Sequence, residues 1–185
     1  MAKALKPGSP FIFTYHHNDL NAYLPIATAL LDAGLVCSAS LPCPAEMGAS
    51  IHINGTGSSI VDTIFVCRTT GVVSRNTLTS SPEEIAKLVM LDVDKLKAAN
   101  IRISQGDMRC IAFGHLIRLS VWFLRERWNV HNEPQTKLKI VEKQISALGN
   151  WSAIKEYLLQ RIEAPKKQQW LALEDHEGYG GESPI

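Results

Sequence analysis

The stretch from Phe11 to Asp19 constrains the fold more than any other part of the chain. Its first five residues, Phe-Ile-Phe-Thr-Tyr, predict a short buried strand, because aromatic and β-branched side chains fill a pleated surface well. The strand runs directly into His16, His17, Asn18 and Asp19, and an apolar-periodic segment follows. In open α/β sheets, ligands bind in the crevice outside the carboxyl ends of strands. The sequence therefore predicts one half of an α/β unit, with His16, His17 and Asn18 as candidate substrate-binding residues.

The composition is that of an ordinary globular chain. With 185 residues, 45% hydrophobic and 20% charged, we expect one domain, or one domain with a helical extension. The net charge of +1 gives no electrostatic argument for nucleic acid and none against a local basic patch. The four cysteines include no Cys-x-x-Cys pair, so they predict reduced thiols rather than a zinc site or a secreted disulfide framework.

The beginning of the chain does not resemble a targeting segment. Residues 1–10 contain two lysines and no apolar h-region, and no apolar run reaches the length of a membrane span. We therefore expect a cytoplasmic protein that does not interact with membranes.

The segment after the first strand is predicted to be a helix from Asn18 to Gly34. Asn18 is a good N-cap, and Gly34 suits the position that follows the last helical turn. Pro25 either bends this helix or marks its true first turn. Leu35 to Leu41 is a predicted second strand, which the prolines that follow it are expected to stop.

The third predicted strand, Ile60 to Cys67, is flanked by two connecting segments. Ala45 to Ser59 is rich in Gly, Ser and Asn and is interpreted as a mobile loop. Its Gly55 to Ser59 part has neither dinucleotide-binding spacing nor a P-loop lysine, which argues against a phosphate cradle. Thr69 to Thr79, with Gly71 at its centre, is interpreted as a linker.

From Ser80 onward the apolar period becomes helical. Ser81 followed by Pro82 and two glutamates is a typical helix start. The helix that starts here is predicted to end at about Ala99. Three more helices are predicted, from about Gln105 to Trp128, from about Gln135 to Leu148, and from Trp151 to Ile162. We therefore divide the chain into an α/β part over residues 1–71, a helical extension over residues 80–163, and a polar tail over residues 164–185 that is expected to be disordered.

Three segments of the α/β part together resemble a known family. They are Leu5-Lys-Pro-Gly-Ser-Pro-Phe-Ile-Phe-Thr-Tyr-His-His-Asn-Asp-Leu, Ala29-Leu-Leu-Asp-Ala-Gly-Leu, and Thr63-Ile-Phe-Val-Cys-Arg. This pattern is similar to the carboxy-terminal third of the large bacterial and archaeal adenine-specific DNA methylases, some of which carry a zinc ribbon. The similarity covers about Ala4 to Arg68 and continues more weakly over Ile103 to Ser120. Ser9 departs from the family, which has a second glycine in this turn.

The resemblance implies a specific sheet. It predicts the end of a Rossmann-like S-adenosylmethionine-dependent methyltransferase fold, with three strands in the spatial order first, third, second. The last strand would be antiparallel to both neighbours, and a helical extension would follow. The outer edge of the first strand would meet a further strand of the complete domain.

The resemblance also implies that parts of the catalytic machinery lie elsewhere. Methyl transfer to an adenine amine needs a glycine-rich turn for S-adenosylmethionine and an Asp-Pro-Pro-Tyr type tetrad for the flipped base. Neither occurs in these 185 residues, which contain no Pro-Pro dipeptide. We therefore expect no catalytic residue and no cofactor site in this chain. DNA and an upstream methyltransferase half are the expected partners, and the isolated chain is expected to be inactive.

Each candidate residue also has a structural interpretation. His16 and His17 either contact the flipped base or backbone, or serve as a helix-terminus hydrogen-bonder and a solvated side chain. Adjacent strand residues point opposite ways and no third ligand is evident, so no metal site is predicted. His115 is expected to be a satisfied core histidine, and Asp107 a first-turn acid that interacts with the helix dipole.

Charged and aromatic residues of the helical part receive similar interpretations. The cations are interleaved with glutamates, which favours a solvated mixed face over a phosphate-binding surface; they are Arg118, Arg125, Arg127, Lys137, Lys139 and Lys143. Trp122, Trp128 and Trp151 are interpreted as core anchors rather than stacking platforms.

Two classes of function remain open from the sequence. One is a portion of an adenine-specific DNA methyltransferase that requires an upstream half. The other is a non-catalytic module, derived from a methyltransferase, that binds a protein or a nucleic acid. An upstream reading frame with the glycine-rich turn and the tetrad would favour the first.

Overall fold

A three-stranded sheet and the helices around it make up the described structure. The computed structural model describes residues 2–44, 59–69 and 78–160. In chain order its strands and α-helices are β1 (Phe11–Tyr15), α1 (Leu24–Asp32), β2 (Leu35–Pro44), β3 (Val61–Thr69), α2 (Pro82–Ala98), α3 (Gln105–Leu124), α4 (Pro134–Leu148) and α5 (151–160). Short 3-10 turns lie at Ala2–Ala4 and Leu20–Tyr23. The α/β architecture is therefore confirmed.

The sheet has the order β1-β3-β2, and β3 is antiparallel to both neighbours. Phe13 faces Phe65 across the first pair, and Ser40 faces Phe65 across the second. This confirms the expected order of first, third, second with the last strand antiparallel. Within the described residues β1 pairs with β3 alone, so its other edge carries no strand there.

The helix after β1 begins later than predicted. Asp19, not Asn18, caps the 3-10 turn: its carboxylate accepts a hydrogen bond from the Asn21 backbone N–H at 3.0 Å. Pro25 lies in the first turn of α1, which settles the alternative left open by the sequence, since the first-turn N–H groups have no intrahelical acceptor anyway. Gly34 follows the helix with φ of +65°, as expected for its position.

The predicted end of β2 at Leu41 is wrong. The strand continues through Pro42 and Cys43 to Pro44. β2 is an edge strand in this sheet, and a proline at an edge position can face its missing N–H away from the neighbouring strand. β3 likewise continues past the predicted end at Cys67 to Thr69.

The helices that follow the sheet begin at or within one residue of their predicted first residues. The Ser81 hydroxyl accepts a hydrogen bond from the Glu84 N–H at 3.2 Å, which confirms the predicted start of α2. α3 ends at Leu124, four residues before the predicted end. Residues 151–160 are helical as predicted, whereas residue 162, the boundary at Gly71 and the tail over residues 164–185 lie outside the described residues.

α3 is the helix around which the core is built. It packs against β2, β3, α1, α2 and α4. One hydrophobic cluster joins residues of the sheet, such as Phe65, to residues of α2, α3 and α4, such as Ile85, Leu116 and Val141, all fully buried. None of the helices in the described ranges is long and apolar enough to cross a membrane.

The two faces of the sheet have different surroundings. Phe11, Phe13 and Tyr15 pack against the core, whereas Ile12 between them is 55% exposed. Leu41 of β2 is 44% exposed and faces Ile64 across the sheet. The side of the sheet away from the core is therefore partly apolar and, within the described residues, partly open.

Candidate functional site

His16 is held against the start of β3. Its Nδ1 lies 3.0 Å from the Val61 carbonyl oxygen and 3.6 Å from an Asp62 carboxylate oxygen. Because a carbonyl oxygen only accepts, Nδ1 carries the proton and donates to Val61. About 30% of the His16 side chain is exposed, so the ring both braces β1 against β3 and remains accessible.

His17 lies at the turn that leads into α1. The Asp19 backbone N–H donates to His17 Nδ1 at 2.9 Å, and the Asp19 carbonyl oxygen lies 3.2 Å from the same nitrogen. The His17 backbone N–H donates to the hydroxyl of the fully buried Tyr23 at 3.3 Å. The exposed ring of His17 is thus oriented by the turn.

Asn18 connects the end of β1 to α3. Its side-chain oxygen accepts a hydrogen bond from a terminal nitrogen of Arg109 at 3.4 Å. The buried Nε of Arg109 has no hydrogen-bond partner among the described residues. Cys110 contacts the His17 carbonyl oxygen at 3.7 Å.

The three predicted residues therefore lie together at the end of β1, as expected from their adjacency. His17 and Asn18 are exposed and Arg109 is half-buried, and the N–H groups of these side chains can bind polar or anionic groups. Burial raises the pKa of the Cys110 thiol, so the buried sulfur remains protonated and is a poor nucleophile. No group of three or more metal-ligating side chains occurs within the described ranges. The arrangement favours binding over covalent chemistry.

A second polar cluster, which the sequence did not predict, lies between the sheet and the helices. His115 of α3 contacts Asp92 of α2, with Nε2 3.0 Å from a carboxylate oxygen, and Ser40 of β2, with Nδ1 3.3 Å from the hydroxyl. All three residues are buried. The cleft beside them has no room for a water-sized sphere. We call these residues the Ser40–His115–Asp92 cluster.

Burial and hydrogen bonding determine the charges of this cluster. Burial lowers the pKa of His115 and outweighs the opposing hydrogen bond to Asp92. Burial raises the pKa of Asp92, but the hydrogen bonds from His115 and Lys95, together with the charge of Lys95, outweigh it, so that pKa is lowered. A neutral imidazole then donates from Nε2 to the carboxylate, and Nδ1 accepts the Ser40 hydroxyl proton.

The cluster contains the three residue types of a hydrolase triad, but its geometry is that of a structural tie. The serine lies at Nδ1 and the aspartate at Nε2, the reverse of the serine-protease arrangement. The absence of space beside it leaves no place for a substrate. His115 joins β2, α2 and α3, which confirms the prediction of a satisfied core histidine.

Asp107 anchors the start of α3 to the start of β3. One carboxylate oxygen accepts from the backbone N–H and hydroxyl of Ser104, both at 2.7 Å. The other accepts from the Ser59 hydroxyl at 2.8 Å and the Ile60 N–H at 2.7 Å. Asp107 lies in the first turn of α3, as predicted, and it also belongs to a capping box with Ser104. With four donors and 1% exposure, its role is structural rather than catalytic.

The interpretation of the cations as one solvated mixed face is wrong for two of them. Arg118 is 4% exposed, and Lys137 is 8% exposed and forms an ion pair with Asp32 at 2.9 Å. Arg125 stacks on Trp122, with its guanidinium carbon 4.3 Å from the ring centre. Arg127, Lys139 and Lys143 are exposed.

The tryptophans are core anchors to different degrees. Trp122 is 7% exposed, as predicted for a core anchor. Trp128 and Trp151 are half-buried against the edge of the core. The Trp128 indole N–H donates to Asp32 at 2.9 Å, which fixes the ring at the end of α3.

Comparison of the chain with protein-family models, with curated proteins and with solved structures found no match.

Proposed function

We propose that this chain is the distal part of an S-adenosylmethionine-dependent, adenine-specific DNA methyltransferase domain. It supplies the end of the catalytic sheet and acts only together with an upstream half that binds the cofactor and holds the target base. The observation that carries the proposal is the strand order β1-β3-β2 with β3 antiparallel to both neighbours. The resemblance over Ala4 to Arg68 implies this order, which a simple hairpin meander would not have.

The surroundings of β1 also support the proposal. A strand edge without a partner exposes backbone donors and acceptors, and proteins usually cover such edges. Within the described residues β1 has such an edge, and Ile12 beside it is 55% exposed. Strands of doubly wound sheets are normally covered on both faces. An upstream half that continues the sheet would pair with this edge and cover Ile12 and Leu41.

The role of the β1 tip in the assembled enzyme follows from its position. His16, His17 and Asn18 lie at the carboxyl end of β1, which in an α/β sheet is the ligand side. In this proposal His17, Asn18 and Arg109 contact the DNA substrate near the flipped adenine through hydrogen-bond donors and positive charge. S-adenosylmethionine binds in the upstream half.

Methyl transfer from labelled S-adenosylmethionine to DNA tests the proposal. The assay compares this chain alone, an upstream half that carries the glycine-rich turn and the Asp-Pro-Pro-Tyr tetrad, and the two combined. We expect label on adenine only in the combination. A double substitution, Asn18→Ala with Arg109→Ala, should lower the rate of the combination roughly tenfold or more, because two charged or polar contacts are lost. Methylation by the isolated chain, or an upstream half that is fully active alone, would refute it.

A second candidate is a non-catalytic binding module. His16 and His17 already form hydrogen bonds within the chain. Fewer of their nitrogen atoms can therefore take part in catalysis, which favours a binding module. Equilibrium dialysis with labelled S-adenosylmethionine separates the two candidates. The methyltransferase portion predicts cofactor binding by the combined halves, whereas a binding module predicts none.

A further inference from the structure

A groove between the end of α3 and α4 has the features of a ligand site. Its volume is about 320 Å³, within the range of small-molecule sites. We call it the α3–α4 groove. Apolar side chains of Leu124, Ile140 and Ala147 line it together with the ring of Trp128. Ile140 and Ala147 are seven residues apart on α4, so they lie on one face of that helix.

The charged residues that line the α3–α4 groove are both cationic. Arg127 follows α3 and Lys143 belongs to α4, and both side chains are exposed. Trp128 donates its indole N–H to Asp32, and the carboxylate of Asp32 also accepts a hydrogen bond from Lys137. The groove therefore combines an apolar wall, an anchored aromatic ring and two exposed positive charges.

This combination is complementary to a nucleotide. Bases of single-stranded nucleic acids stack on aromatic side chains, and basic residues beside the ring neutralise the backbone phosphate. The indole N–H bond to Asp32 holds the Trp128 ring in place, so the ring need not be ordered on binding. A volume of about 320 Å³ is of the size of one nucleotide unit.

We propose that the α3–α4 groove binds one nucleotide unit of single-stranded nucleic acid, with the base against Trp128 and the phosphate on Arg127 and Lys143. The site lies on helices that follow the sheet and needs neither a cofactor nor an upstream half. It therefore goes beyond the proposed function, and either one can fail without the other.

Fluorescence anisotropy of a labelled twelve-residue thymidine oligonucleotide with the full chain tests this site. We expect saturable binding at low salt that weakens as the salt concentration rises, because phosphate contacts release counterions. Arg127→Ala with Lys143→Ala should weaken binding about tenfold or more and flatten the salt dependence. Lys139→Ala is the matched control: Lys139 is exposed on the same helix but does not line the groove, and its removal should change binding less than about twofold.

Two variants of Trp128 separate stacking from folding. Trp128→Phe and Trp128→Leu both lose the hydrogen bond to Asp32, but only the leucine variant loses the ring. Trp128→Leu should bind roughly fivefold or more weakly than Trp128→Phe, since a base stacked on an aromatic ring contributes about that much or more. Circular dichroism confirms that both variants fold.

Four results would overturn the proposal. Three of them are the absence of binding by the folded wild-type chain, equal losses in Lys139→Ala and in the double variant of Arg127 and Lys143, and equal binding by the two Trp128 variants. The fourth is displacement of the labelled oligonucleotide by a different competitor, either thymidine monophosphate or polyglutamate, that is as effective as the unlabelled oligonucleotide at the same concentration. With thymidine monophosphate as the competitor, the groove would be a free-nucleotide site, and with polyglutamate it would be an acidic-peptide site.

Discussion

Nε2 of His115 lies 3.0 Å from a carboxylate oxygen of Asp92, and each side chain is less than one-tenth exposed. The pair joins α2 to α3, and Ser40 extends the connection to β2. In a buried environment each partner satisfies a group that would otherwise lose its hydration without compensation. Removal of one member of the Ser40–His115–Asp92 cluster should therefore lower the stability of the fold, because the remaining buried polar groups lose their hydrogen-bond partner.

Removal of the carboxylate tests this cost. Asp92→Ala leaves the His115 Nε2–H without its acceptor, so we expect the free energy of unfolding to fall by about 3 kcal/mol. The exposed Asp94 of the same helix is the control, and Asp94→Ala should change stability by no more than about 0.5 kcal/mol. Urea denaturation measures both. Equal effects of the two substitutions would mean that the pair has no special role.

The same pair predicts a loss of stability in acid. The pKa of His115 is lower in the folded chain than its ordinary value of 6.5, so the unfolded state binds the proton first as the pH falls. This contribution is complete above pH 6.5 and is lost progressively below it. The lowered pKa of Asp92 adds a further loss as the pH falls through the range below 3.8.

Urea denaturation between pH 7.5 and 5, for the wild-type chain and His115→Gln, measures the contribution of His115. We expect a smaller loss of stability on acidification in the variant, because it lacks the buried imidazole whose lowered pKa causes that loss. The same pH dependence in both would contradict the assignment of a neutral, buried His115.

Asp107 should be one of the most sensitive carboxylates in the chain. Asp107→Ala removes the acceptor of four hydrogen bonds, two from Ser104 at the start of α3 and two from Ser59 and Ile60. We expect the free energy of unfolding to fall by about 3 kcal/mol or more. Ser81→Ala removes a helix cap with one side-chain bond and should cost about 1 kcal/mol. A smaller loss for Asp107→Ala than for Ser81→Ala would be inconsistent with this role.

Gly114 sets the distance between α3 and the sheet. A Cβ at this position would lie 2.8 Å from Thr63 Cγ2. Alanine is the better helix former by about 0.8 kcal/mol, but the clash should outweigh this gain, so Gly114→Ala should destabilise the fold by about 1–2 kcal/mol.

A double-mutant cycle with Thr63→Ser checks the cause of this loss. The serine lacks Cγ2, so it should recover part of the stability lost in Gly114→Ala. If Gly114→Ala were stabilising, or if its effect were simply additive with Thr63→Ser, close contact at this point could not be the reason for glycine.

Local signals made much of the fold predictable. β1 and the starts of α2 and α3 each depend on a few neighbouring residues, such as the capping residues Ser81 and Asp107. The end of β2 depended on a distant fact, its position at the edge of the sheet, which allows Pro42 and Pro44 within a strand. The residues around Pro42 and Pro44 do not by themselves indicate that β2 lies at the edge of the sheet.

The sites differ in the same way. His16, His17 and Asn18 are adjacent, so their common location at the end of β1 followed from the sequence alone. The contact of Asn18 with Arg109 spans 91 positions and was not predicted. The Ser40–His115–Asp92 cluster is assembled from three elements, with 75 positions between Ser40 and His115, and no local pattern marks its members.

In the proposed function, the sheet continues beyond β1 into the upstream half. Amide hydrogen exchange of residues Phe11 to Tyr15, measured for the chain alone and combined with the upstream half, tests it most directly. Alternate amides of an antiparallel strand point away from its partner, so in the isolated chain some β1 amides should exchange rapidly and others slowly. We expect the rapidly exchanging amides to become protected in the combination. Unchanged exchange across β1 in a combination that forms methyladenine would contradict it.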